Sequence, residues 1–112
     1  MGRLDRIDLK GKQDINFSGT GTNLIISPGG SGTHLEIDFL TVIVNPASTI
    51  RFVDGALRYG GDLPLDTKGS ITFENASGFH PPFILGNNST FSIFQTETSQ
   101  CSGWAMYRIV GS

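Results

Sequence analysis

The alternation of apolar and polar residues is clearest between Thr33 and Asp54. Leu35, Ile37 and Phe39 alternate with His34, Glu36 and Asp38, the two-residue period of a strand with one buried and one wet face. From Leu40 to Val44 the residues are apolar or β-branched on both faces, which predicts cover on both sides, by a second sheet or another subunit. Asn45-Pro46-Ala47-Ser48 supplies a turn, since Pro46 presets φ and offers no N–H to a ladder. With Thr49–Val53 as the return strand, the whole stretch reads as a β-hairpin.

Shorter runs follow the same style. Strands are predicted at 22–27, at 56–65 with a bend or bulge at Gly60-Gly61 and Pro64, at 71–73, 83–85 and 90–96, and at 101–110. Nowhere does a helical i, i+3, i+4, i+7 stripe persist. The pattern predicts an all-β protein, an antiparallel β-sandwich or jelly roll of about eight short strands. Residues 17–112 form the single domain and residues 1–16 an extended N-terminal arm. The expected core includes Leu35, Ile37, Phe39, Ile50, Phe52, Ile93 and Phe94, with Phe91 in place of Phe94 if that strand slips one step.

Composition narrows the function. Charged residues are 16% of the chain, below the roughly 25% of ordinary soluble domains, which suits a weakly charged assembly subunit. A net charge of −2 exerts no overall pull on nucleic acid or anionic membrane, so neither is an expected partner. The first 13 residues differ: Arg3, Arg6, Lys10 and Lys12 outnumber Asp5 and Asp8, with Leu4, Ile7 and Leu9 interleaved. So short a segment is marginal as a free helix. It is expected to order on a partner, with Arg3, Leu4, Arg6, Ile7, Leu9, Lys10 and Lys12 as contact residues; the plainer alternative is a frayed terminus. The start of the chain carries no apolar segment of secretory type and nothing later approaches a membrane span, so a soluble protein made in the cytoplasm is expected.

Candidate chemistry is sparse. His34, His80 and the lone Cys101 are too few and too scattered for a zinc site, and Cys101 reads as a small apolar residue of the last strand. Glu36, Asp38, Asp54, Asp62 and Asp66 lack the spacing of a calcium loop. The Pro28–Gly32 loop lacks the Lys-Ser/Thr ending that would make it a phosphate cradle. A non-enzymatic protein without cofactor is expected. His80-Pro81 and Pro81-Pro82 leave open a cis bond.

The order of the runs carries a resemblance. An SGTGTN opening (18–23), LEIDFLTVIV (35–44), ASTIRFVDGA (47–56), GGDLPLD (60–66), Phe79 near Pro81-Pro82, GNNSTFSI (86–93) and SGWAMYRIV (102–110) occur together. The chain from about 17 to 110 thus resembles small all-β virion proteins of tailed bacteriophages, of the head-decoration or capsid-cement type. The resemblance implies a sandwich that trimerises on the capsid surface and bridges major capsid subunits. Strands apolar on both faces fit self-association, and place Leu40, Val42, Val44 and Trp104 at the expected homotrimer interface. The alternative is a glycan- or receptor-binding module of a phage fibre or tail, with Tyr59, Phe79 or Trp104 as sugar platforms.

Overall fold

The computed structural model describes residues 9–76 and 80–111. Within them are nine strands and no helix: β1 (Leu9–Phe17), β2 (Gly21–Ile26), β3 (Thr33–Asn45), β4 (Ser48–Asp54), β5 (Leu57–Leu65), β6 (Ser70–Glu74), β7 (Phe83–Asn87), β8 (Phe91–Gln95) and β9 (Gln100–Gly111). They form two antiparallel sheets packed face to face, the expected β-sandwich. Sheet A runs β1-β9-β3-β6, with β7 pairing β3 beyond β6, and sheet B runs β2-β8-β4-β5.

Two corrections concern the central stretch. The expected hairpin is an arch: β3 lies in sheet A and β4 in sheet B, so Asn45–Ala47 carries the chain across the sandwich. The apolar faces of the two strands thereby meet through the core, where a hairpin would have set them side by side. The described residues contain a cis bond at Asn45–Pro46 and none beside His80.

The second correction is a β-bulge. Ile37 pairs with Tyr107 and Phe39 with Met106, so Asp38 is an extra residue on β3 without a rung of its own. Because side chains alternate with period two, one extra residue exchanges the faces beyond it. Leu35 and Ile37 point into the core before the bulge, and Leu40, Val42 and Val44 after it. Phe39 therefore turns outward and leaves the core, and the three aliphatic residues expected at a subunit interface lie inside the sandwich.

The core joins these to Ile15, Ile50, Phe52, Phe83, Phe91 and Ile93. Phe52 packs on Phe83, Phe73 and Phe91 with ring centroids 4.9, 5.7 and 5.9 Å apart. Phe91 takes the inward place that Phe94 was expected to hold, while Phe94 faces out beneath the Arg51 guanidinium, 4.2 Å from the ring centroid. Ile15 belongs to β1, whose nine residues pair with β9 without a break from Leu9↔Ile109 to Phe17↔Cys101. Residues 9–16 are therefore an edge strand of the sandwich rather than part of an arm, because Ile15 gains a place in the core and the backbone gains a ladder.

Gln95 is fully buried at one end of this core, beside the smaller buried Ser48 and Ser99. Gln95 accepts from Ser48 Oγ at 2.9 Å and Cys101 Sγ at 3.5 Å, and its amide donates to the carbonyls of Gly19 and Ser99 at 3.0 and 2.9 Å. It ties β4, β8, β9 and the β1-β2 turn at one end of the sandwich. At β9, Gly103 has φ +155°, and a Cβ there would overlap the Thr41 carbonyl oxygen, so glycine permits β3 to approach.

Replacing Gln95 by Leu should lower stability by about 2 kcal/mol or more, since Ser48 and two carbonyls lose their partner away from water. Leu40→Ala should cost about 2–5 kcal/mol in urea titration, and Phe39→Ala distinctly less. The reverse order would place the bulge wrongly.

Candidate interaction surface

The outer face of sheet A joins Phe39, Thr41 and Ile43, which the bulge turns outward on β3, to outward residues of β1, β6 and β9. Register aligns Lys12, Met106 and Phe39 in one row, Asp14, Trp104, Thr41 and Thr72 in the next, and Asn16, Ser102, Ile43 and Ser70 beyond. Ile43, Trp104 and Met106 are 41, 42 and 44% exposed. Trp104 stacks on Phe39 with centroids 5.9 Å apart and planes at 26°. Thr41 and Thr72 share a hydroxyl hydrogen bond of 2.9 Å, and Lys12 Nζ stands 5.9 Å from the Trp104 ring. The result is an apolar strip with small polar and charged residues around it.

At one end the strip meets a charged cluster. Arg108 donates from Nε to Asp38 Oδ2 at 2.8 Å and from a terminal nitrogen to Asp38 Oδ1 at 3.1 Å; the same group lies 3.1 Å from Glu36 Oε1. Asn75 Nδ2 also donates to Asp38 at 3.0 Å, and His34 Nε2 is 2.7 Å from Glu36 Oε2. Burial alone would raise the Asp38 pKa, but the hydrogen bonds from Arg108 and Asn75, with the charges of Arg108 and Lys10, outweigh it and hold the carboxyl below its ordinary value. The extra residue of the bulge is thus anchored by the neighbouring strand.

The residues expected from the sequence to act are distributed unevenly. Lys10 and Lys12 stand on the outer face of β1 in the same rows as Arg108 and Met106, so they join Trp104 on one surface. Leu9 opens β1 opposite Ile109; Arg3, Leu4, Arg6 and Ile7 lie outside the described residues, as does Phe79. Leu40, Val42 and Val44 are in the core. The Tyr59 hydroxyl accepts from Ile84 N–H at 3.0 Å and reaches the Pro82 carbonyl at 3.4 Å, and its ring packs on Phe83 with centroids 5.1 Å apart.

The isolated candidates stay isolated. Asp54 accepts from Gly86 N–H at 3.1 Å, and Asp62 lies 3.2 Å from Arg51 and 3.5 Å from Arg58. Among the described residues no three His, Cys, Asp or Glu side chains gather as metal ligands. Cys101 is buried, and burial pushes its thiol up to about 11, far from a reactive thiolate at neutral pH. Between the sheet edges an apolar recess of about 220 Å³ is lined by Phe52, Tyr59, Leu63, Phe73 and Phe83, without a free polar group on those side chains.

Phe39, Ile43 and Met106 escaped the sequence-based expectation as surface residues. The outward turn of Phe39 and Ile43 follows from the bulge, which carries no Gly or Pro to mark it, while Met106 faces out with Trp104 on β9. Compared with known proteins, the chain matches no family model and no curated sequence.

Asp38 has a lowered folded pKa, so the stability it contributes is complete above the ordinary value of 3.8 and is lost as pH falls through the folded value. Asp38→Asn should therefore be less stable than wild type at about pH 7, with the gap closing below about pH 4. Urea titrations across that range measure it; a gap independent of pH would mean that the carboxylate charge contributes nothing.

Proposed function

We propose that this protein is a non-enzymatic assembly subunit, a phage capsid-decoration or cement protein that docks the outer face of sheet A on major capsid subunits. The observation that carries the reading is the strip on that face of exposed Ile43, Trp104 and Met106 with half-buried Phe39 stacked on Trp104. Contiguous exposed apolar groups rimmed by polar residues characterise protein contact surfaces, and aromatic and Met side chains are enriched in their centres. The sequence resemblance supplies the kind of partner. On such a shell each copy would add buried area bridging two capsid subunits, and stability would accrue by linkage.

The threefold association implied by the resemblance loses three of its four expected contacts, because Leu40, Val42 and Val44 face inward. Trp104 remains available. Its exposed ring between Thr41 and Asp14 also favours the second reading, a sugar platform.

Mixing the protein with empty capsids of the phage that encodes it, followed by sedimentation and imaging, tests the proposal. Wild type should decorate the shells, and Trp104→Asp should bind about tenfold more weakly or worse, as for loss of a central aromatic anchor, with an unchanged melting curve. Wild type that leaves the shells bare overturns the capsid proposal, and Trp104-dependent binding to glycans in its place would establish the second reading. Deleting residues 1–8 spares β1. If those residues add a positively charged grip, the truncated protein should bind more weakly and with less dependence on salt.

A further inference from the structure

We propose that β1 is a self-pairing edge, through which two copies of the chain join their A sheets antiparallel about a twofold axis at Gln13. This concerns a different surface from the docking face and stands whatever that face binds.

The other sheet edges are ill suited to pairing. At the β5 edge, Phe52 pairs with Tyr59 and Ile50 with Leu63, so Gly60-Gly61-Asp62 bulges opposite Arg51, and Pro64 has no N–H to give. β2 is broken by a register shift between Leu24 and Ile26. β6 and β7 are five residues each. Bulges, prolines and short lengths are the means by which sheets blunt their edges. β1 has none of them: nine residues keep unbroken register with β9, and its other edge pairs with no strand among the described residues. Its one glycine, Gly11, lies under the Tyr107 ring, which occupies the space a Cβ would need.

Charge selects the occupant and the register. In β1 the even-numbered residues point to the outer face, and Ile15 marks the odd-numbered set as inward. A symmetric antiparallel pair that keeps both outer faces on one side must centre on a residue. Centred on Lys12, that lysine would face its own copy; centred on Asp14, the aspartates would face each other. Centred on Gln13, Lys12 faces Asp14 of the partner subunit and Asp14 faces Lys12 of the partner subunit, while Gly11 faces Ile15 of the partner subunit. Opposite charges directly across a ladder are favourable and like charges are not. Within one chain Lys12 Nζ lies 3.5 Å from Asp14 Oδ1, with the two side chains 57% and 78% exposed; so loose a surface ion pair is worth little, and pairing exchanges it for the same contact made across the ladder. The same lysines discourage a foreign apolar strand, which makes a second copy the fitting occupant.

Sedimentation equilibrium of the full chain at several concentrations tests this. Wild type should show a monomer–dimer equilibrium. Lys12→Asp or Asp14→Lys should each weaken the dimer about tenfold or more, because symmetry applies the like-charge contact twice, and the double variant K12D/D14K should return to within about threefold of wild type. Mild oxidation of Gln13→Cys should give a covalent dimer while Lys10→Cys does not, its two copies being roughly 20 Å apart in this register. A wild type that stays monomeric at hundreds of micromolar, as an order of magnitude for weak association, overturns the proposal. So does a trimer indifferent to these substitutions, or a double variant that fails to recover.

Discussion

The single inserted residue at Asp38 decides what this protein shows to its surroundings. β3 is long enough to lie across the whole core, and a regular strand of that length would bury Leu35, Ile37 and Phe39 on one side and turn Leu40, Val42 and Val44 to the other. Neither face could then be left in water without exposing large aliphatic groups. The bulge resolves this by gathering Leu35, Ile37, Leu40, Val42 and Val44 on one side and turning Phe39, Thr41 and Ile43 outward. It costs one rung of the ladder, and the two hydrogen bonds from Arg108 to Asp38 fix the extra residue in place on the outer face. The same irregularity thus places Asp38 within the charged cluster and Phe39 and Ile43 beside Trp104 and Met106 of β9.

Most strands were legible because apolar runs between Gly, Pro and Asn turns have few other outcomes in a chain without helical periodicity. Partners were not legible: period two shows that 33–45 and 48–54 are strands, but says nothing of whether they share a sheet. The double-sided apolar character of Leu40–Val44 signalled cover on both sides, and Phe39 stacking on Trp104 accounts for part of the outer cover. β1 was hidden by its polar makeup. Only Ile15 and Phe17 among its described side chains are apolar, which is what an edge strand needs when one inward residue in two reaches the core. Gln95 sits in the core because its amide finds four partners, none adjacent in sequence.

The candidate surface was legible in pieces. Lys10, Lys12 and Trp104 were singled out for separate reasons, the first two as an arm and the third as an interface residue, and antiparallel pairing of β1 with β9 brings them onto one face. Separations of about ninety residues along the chain become neighbouring rungs. That conversion depends on register, and register depends on where a strand starts pairing, which hydrophobic pattern alone fixes only where one face is clearly buried.

The pairing of β1 with β9 also gives the molecule a mechanical character. Leu9 lies beside Ile109 and Phe17 beside Cys101, so tension applied between residues 9 and 111 acts at one end of the ladder and across it. Hydrogen bonds in an antiparallel pair lie perpendicular to the strands, and such a load meets them one rung at a time. The first event under force is the peeling of β1, with Ile15 drawn from the core, rather than simultaneous shear of the whole sheet. β3, held by β9 on one edge and by β6 and β7 on the other, bears the load only afterwards. Tethered through these two ends, the protein would be a compliant link; held by the face of its sheet, a stiff one.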